Sequence, residues 1–221
     1  MTLHARRVEP HGAAEDGAAL RVVQRRAEAT RDALLAAAMR LLRSRDFDQL
    51  SIAELAAEGG LSVGSFYGRF RDKEAFVALL QRRVADGWIA DGDRTLAVAA
   101  DPSLPTVRLI GRIVEAVVEV FRRDEGFLRA SLRHQTTHPG ASTPLQRAGR
   151  RFAEASADML APRLAHLPPA QRRLRVRFAL QVVYGTCMNA VLNDPGPIRL
   201  AERRMTRELA RTMAGYLRVQ D

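Results

Sequence analysis

The sequence predicts an all-α protein of two helical domains, residues 21–85 and 86–221, behind an arm of residues 1–20. Three observations carry this. Apolar residues recur at i, i+3, i+4 and i+7 in one segment after another, no sustained alternation of period two appears, and Gly- or Pro-containing breakers separate the segments. With 221 residues and 47% hydrophobic composition, the chain has enough apolar side chains for a packed core.

Residues 1–20 show no periodicity and are expected to form a mobile arm, from which Arg6 and Arg7 reach a polyanion if one lies beside it. A first helix is expected over Arg21–Ser44, with Leu35, Ala38, Met39 and Leu42 on one stripe. Ser51 and Glu54 then form the S-x-x-E pattern that satisfies free amides at a helix start. This second helix turns Ile52, Leu55 and Ala56 inward and stops by residue 58, because Gly59-Gly60 offers a left-handed close. Ser62 caps a third helix running to about Arg69. Asp72 caps a fourth, where Phe76, Leu79, Leu80 and Val84 repeat and which continues past Trp88 into the second domain.

Pro102 and Pro105 interrupt the pattern, and Leu109, Ile113 and Val117 define a helix ending near Arg123. A shorter helix is expected over Glu125–Arg133 and a loop over His134–Pro144. Phe152, Ala155, Met159 and Leu160 mark a further helix closed by Leu167-Pro168-Pro169. The last two helices, Gln171–Asn193 and Ile198–Val219, flank the breaker Asp194-Pro195-Gly196-Pro197.

Several functional classes fall away. No run of about 18 apolar residues can span a membrane, and the first twenty residues lack an apolar signal region, so a cytoplasmic protein without membrane contact is expected. The single cysteine, Cys187, forms neither an internal disulfide nor a thiolate metal site, and reads as a small buried hydrophobe in preference to a redox sensor. His134 and His138 lie in a Thr-rich stretch without adjacent Cys or carboxylate, so no metal and no cofactor is expected. No G-x-S-x-G, phosphate-binding Gly-rich loop or metal-ligand cluster supports an enzyme.

The formal charge of +10 makes a polyanion a plausible partner, although residues 1–90 hold 14 basic and 12 acidic residues. Affinity for nucleic acid must therefore come from a few placed donors. Two short capped helices joined by a tight turn, over residues 51–70, are the parts of a helix-turn-helix. Gly64 and Ser65 are small enough for the third helix to approach base edges, while Tyr67, Arg69 and Lys73 offer donors to phosphate. The helix starts at Ser51 and Asp72 present further amides. The same apolar residues also suit the core of a plain helical interaction module, or of a DNA-binding module that answers to no effector.

The run S-I-A-E-L-A-A-E-G-G-L-S-V-G-S-F-Y-G-R-F-R-D-K-E-A-F, Ser51–Phe76, resembles the tetracycline-repressor family of bacterial transcription regulators. Upstream, T-R-D-A-L-L-A-A-A-M-R-L-L followed by D-F resembles that family's first helix, so the likeness covers about residues 25–85. It implies a three-helix DNA-binding domain, a helical dimerisation and effector domain, and an operator released by a small molecule. By position, Ser51 takes the place of the family's phosphate-contacting hydroxyl, and Ser62, Val63, Gly64 and Ser65 fall in its base-reading segment. Tyr67 matches its phosphate-contacting tyrosine, Phe70 its core aromatic and Lys73 the lysine opening the fourth helix. Arg69 stands where His or Tyr is common, Gly68 where an aromatic is frequent, and Arg45-Asp46 where Gly usually precedes the Phe47 position.

In the second domain the helix from Gln171 is apolar along two stripes, Leu174, Phe178, Val182 and Gly185 on one and Leu180, Val183, Cys187 and Val191 on the other. One stripe suits the domain's own core and the other a second copy. The last helix, through Met205, Leu209, Met213 and Tyr216 or Leu217, is expected to complete a four-helix interface. A pocket for a small apolar effector is expected from Trp88, Phe121, Phe127, Phe152, Met159, Tyr184 and Met188, with Arg129, Arg133, His134 and Asn189 as polar anchors. The partners expected are therefore a double-stranded operator, a small molecule and a second identical chain.

Overall fold

The computed structural model describes residues 12–138, 143–194 and 196–219. Its elements are α1 (Gly12–Leu41), a 3-10 turn (Phe47–Gln49), α2 (Ile52–Glu58), α3 (Val63–Tyr67), α4 (Lys73–Val98), α5 (Thr106–Arg123), α6 (Glu125–Thr137), α7 (Thr143–Leu160), a second 3-10 turn (Ala161–Arg163), α8 (Pro169–Asn193) and α9 (Arg203–Leu217). Among the described residues there is no strand, and no helix is long and apolar enough to cross a membrane. The all-α architecture follows from the helical periodicity of the sequence.

Several boundaries differ from the sequence-based expectation; α1, for one, ends at Leu41 and not at Ser44. Helix α1 begins at Gly12, nine residues before Arg21, because Ala13, Ala14, Ala18, Ala19 and Leu20 are strong helix formers. Residues 12–20 of the expected arm thus belong to the helix, and Arg6 and Arg7 lie outside the described residues. Helix α6 runs on to Thr137 instead of ending at Arg133, since the His134 ring packs 5.6 Å from Phe47 and holds the extra turn against the first domain. Helix α7 opens at Thr143, with Pro144 in its first turn, where a missing amide hydrogen costs nothing. Helix α9 starts at Arg203 and not at Ile198. Arg122 donates to the carbonyls of Leu200 (2.8 Å) and Glu202 (2.7 Å), which anchors the preceding segment as a turn.

Two apolar cores result. Leu34, Leu42, Phe47, Leu55, Phe66, Phe76 and Leu80 fill the first, and Ile110, Ile113, Val118, Leu160, Val176 and Leu180 belong to the second. Helix α6 stands between them. Phe127 belongs to the first core and its neighbour Leu128 to the second. The contact at its start is very close, because a Cβ on Gly126 would lie 2.2 Å from the Leu42 carbonyl oxygen and 2.7 Å from the Arg43 Cα. Only a residue without a side chain lets α6 meet the end of α1 in this way.

Candidate DNA-reading head and effector groove

Helix α2 is built by its cap. The Ser51 hydroxyl accepts from the Glu54 amide (3.1 Å), the Ser51 amide donates to the Glu54 carboxylate (3.0 Å), and Arg45 donates to that carboxylate at 2.6 Å. The Ser51 amide first, then Arg45 and the Ser51 hydroxyl, hold the Glu54 carboxyl down at about 2, against an ordinary 4.5. A depressed carboxyl stabilises the fold above its unfolded value. This cap is therefore intact above about pH 4.5 and is lost as the pH falls toward 2. Ser51→Ala is expected to lower stability by about 1 kcal/mol, or about 2–4 °C in thermal unfolding. An unchanged melting temperature would contradict the cap.

The turn after α2 closes with Gly60 at φ +67°, the left-handed geometry that favours glycine, and with Leu61 N–H donating to Ala56 at 2.8 Å. Ser62 then caps α3, its hydroxyl accepting from the Ser65 amide at 3.1 Å. Phe66 and Phe70 point inward against Phe76, with ring centroids 5.1–5.6 Å apart, and this aromatic cluster fixes the roll of α3. The opposite side presents Ser62, Val63, Gly64, Tyr67 and Arg69 to solvent, with Ser65 half-buried. A Cβ on Gly64 would meet only the Ser62 hydroxyl, at 3.7 Å, so the outer surface of α3 is open. Lys73 opens α4, whose cap Asp72 accepts from the Ala75 amide at 2.8 Å.

Among the described residues no carboxylate pairs with Arg69 or Lys73, whereas Arg40 pairs with Glu58 and Arg45 with Glu54. The free cations therefore flank α3. The Ser51 hydroxyl, by contrast, already donates to Glu54 at 2.8 Å, and must exchange that bond to reach a phosphate. A short, outward, small-faced helix on a rigid aromatic seat, flanked by unpaired cations, has the form that enters a DNA major groove.

The second feature is a groove of about 1320 Å³ among α4, α5, α6, α7 and α8. Trp88, Phe121, Phe152, Tyr184 and Met188 line it as the sequence suggested. The Phe152 ring lies against α4 at Gly92, where a Cβ would come within 2.7 Å of it. The Trp88 indole donates to buried Asp124 at 2.7 Å, and the Tyr184 hydroxyl to the Gly149 carbonyl at 3.3 Å. Burial pushes the Tyr184 phenol above its ordinary range, which keeps it neutral.

Six of the expected pocket residues lie elsewhere. Phe127 packs 6.2 Å from Phe47 in the first core, because it sits one position from the groove-facing side of α6. Arg129 donates to the Arg43 carbonyl at 2.9 Å and Arg133 to Asp46 at 2.6 Å, so both clamp the first domain. His134 turns the same way, onto Phe47 and toward Asp48, and burial first and His138 second lower its pKa. Met159 packs against the second core from outside the groove. The proposed anchor Asn189 is exposed and accepts from Asn193 at 2.8 Å. The sequence reading missed Gly92, Thr95, Val117, Leu128, Ser131 and Leu132, which line the groove. Continuing the α6 periodicity through 128, 131, 132 and 135 was the available signal.

In α9 the expected interface residues Met205, Leu209, Met213 and Leu217 are buried in the chain's own core, while Tyr216 is exposed. Helix α9 packs against α5 and α8 of its own chain, which cover this stripe. On α8, Val183, Cys187 and Val191 are buried, and Leu174, Phe178, Val182 and Gly185 are exposed, as the two stripes implied.

Fold and reading head together define a helix-turn-helix DNA-binding regulator. The chain belongs to the tetracycline-repressor family. Residues 34–80 match the family model of bacterial regulatory proteins of the tetR family, and residues 105–217 match that of the tetracyclin repressor-like C-terminal domain. No curated protein matches the sequence. Similar solved structures include a tetR-family transcriptional regulator from Streptomyces coelicolor, 20% identical, covering 86% of this chain and 80% of its own, with a TM-score of 0.63. Another is a tetR-family regulator from Mesorhizobium loti, 14% identical, covering 87% and 97% respectively, with a TM-score of 0.64. The regulator FadR of Bacillus subtilis, solved in complex with stearoyl-CoA, is 14% identical over 82% of this chain and 96% of its own, with a TM-score of 0.60.

Proposed function

We propose that this regulator is a homodimeric, cytoplasmic repressor whose α3 helices read an operator, and that a small, largely apolar molecule in the groove releases it. Ser62, Val63, Gly64 and Ser65 face the bases, and Ser51, Tyr67, Arg69 and Lys73 hold phosphates. One observation carries the coupling. Helix α6 lines the groove with Leu128, Ser131, Leu132 and Gln135, and on an adjacent face seats Gly126, Phe127, Ala130 and Arg133 against the DNA-binding domain. Helix α4 runs the same way, from Lys73 beside the reading head to Trp88 and Thr95 in the groove wall.

A ligand that prefers the arrangement in which α4 and α6 mis-space the two α3 helices weakens DNA binding by its differential affinity, typically about 1–3 kcal/mol. FadR in its complex with stearoyl-CoA supports the view that a fold of this shape accommodates a ligand that carries a long acyl chain. The test is a mobility-shift titration on the DNA upstream of the protein's own gene at several salt concentrations. Specific retardation that weakens steeply with salt is the expected result. Absence of binding at low salt would overturn the reading and favour a protein-interaction module.

A further inference from the structure

We propose that the last turn of α6, residues 134–137, is a latch released by acid. With the His134 imidazole neutral it fastens the groove wall to the first domain, and protonation of that ring frees the turn and weakens operator binding. The latch stands on its own geometry, while its effect on DNA rests on the reading of the chain as an operator-binding protein.

The turn is made of residues that do not favour a helix. His134, Thr136 and Thr137 are weak helix formers, and Pro139-Gly140 follows in the sequence. The His134 ring holds it, with a side chain only 9% exposed. This ring meets Phe47 at a steep angle, with centroids 5.6 Å apart, and stacks on the His138 ring one turn further on, at 4.1 Å. The His138 amide closes the turn by donating to the His134 carbonyl at 2.9 Å. Leu132 and Gln135, on either side of this pair of contacts, line the groove. One imidazole therefore joins the groove wall to the 3-10 turn that leads into α2.

A proton on this ring would be a charge taken out of water, beside apolar Phe47 and beside a second imidazole whose own proton would repel it. Among the described residues, the charged groups that face it are Asp48 on the 3-10 turn, Lys73 and Glu74 at the start of α4, and His138. Asp48 lies 3.9 Å from Nδ1 but is 74% exposed, so water and salt screen its attraction. Lys73 opposes Glu74, and Asp46 is already bonded to Arg133 at 2.6 Å. Burial first, and His138 second, thus hold the His134 pKa below its ordinary 6.5. A ring kept neutral in this way stabilises the fold above about pH 6.5, and that contribution is lost as the pH falls toward the depressed value. Relief comes by swinging the ring into water, which undoes the turn and returns the end of α6 to Arg133, where the local sequence places it. The first domain is then gripped only nearer the start of α6, and the spacing of the reading helices loosens.

The experiment follows hydrogen exchange in the intact protein at pH 7.5 and 5.5, corrected for the intrinsic rate, with operator affinity measured at both values and one salt concentration. The Glu54 cap is intact at both, so α2 stays constant. His134→Phe keeps a ring against Phe47 that cannot be charged. His138→Ala keeps His134 and removes the neighbouring charge, and is read by the carbon-bound proton resonance of the His134 ring. Between pH 7.5 and 5.5, protection of residues 134–138 is expected to fall about fivefold or more and operator affinity about threefold or more. The start of α6 keeps its protection, and both effects nearly vanish in His134→Phe. The His134 resonance titrates below pH 6.5 and moves upward in His138→Ala. Equal protection at the two pH values, an equal loss in His134→Phe, or a His134 resonance titrating at or above 6.5 would each overturn the latch. Lost protection with unchanged operator affinity would overturn its link to DNA and leave operator binding standing. A chain that binds no operator at pH 7.5 yet loses protection in acid keeps the latch and refutes the operator reading.

Discussion

The Gly64→Trp protein is expected to fold normally and to lose specific operator binding almost completely. A Cβ at this position lies in open space beyond the Ser62 hydroxyl, and replacing glycine within a helix removes a conformational penalty. Stability should therefore be unchanged or slightly raised. The indole, however, projects from the outward face of α3, between the exposed Val63 and Tyr67 side chains, and holds the helix off the groove floor. Base contacts require close approach, so affinity should fall to the non-specific level, a loss of about a thousandfold or more. Quantitative footprinting together with thermal unfolding checks this. A variant that protects the same operator at the same concentration would show that α3 is not the reading element.

Gly126→Val is expected to have the largest effect on the body of the molecule. Its Cβ would stand within 3 Å of three backbone atoms of Leu42 and Arg43, none of which is the flexible end of a side chain. Overpacking of this kind typically costs about 1–3 kcal/mol, which corresponds to roughly 2–4 °C of melting temperature per kcal/mol. Relief comes only by moving α6 away from α1, and this loosens the Arg129 and Arg133 clamps on Arg43 and Asp46. The expected outcome is a destabilised protein whose DNA affinity responds less to a groove ligand than the parent's does. Thermal unfolding and operator titration with and without ligand measure the two parts. A parent-like melting temperature would contradict the close α1–α6 contact.

The reading head was legible in the sequence because its determinants are local. Ser51 with Glu54, Gly60, Ser62 and Asp72 each act within a few residues, and all of them cap or turn the chain as their spacing implies. The groove was half legible, because large apolar residues at helical spacing say that a face is buried but not against what. Phe127 and Leu128 are adjacent and equally apolar, yet they belong to different cores. His134 and Arg133 looked like anchors for a ligand and instead hold α6 on the first domain, a choice set by contacts with Phe47 and Asp46 nearly 90 residues away. The late start of α9 has the same origin, in the long-range bonds from Arg122. Met205, Leu209 and Met213 had the pattern of an interface, but periodicity does not distinguish the chain's own core from a partner's surface.

The central claim is that α3 enters the major groove at two places on the operator. Its most direct test is an iron chelate attached to the thiol of a Gly64→Cys protein, used to cut bound DNA. Cys187 is fully buried and its thiol is pushed up to about 12, so the new thiol alone takes the label. Cleavage in two patches centred about 34–36 Å apart, or a whole multiple of that distance, is predicted for a dimer presenting both heads to one side of the duplex. Uniform cutting along the fragment, or no cutting of DNA that remains bound, would contradict the account.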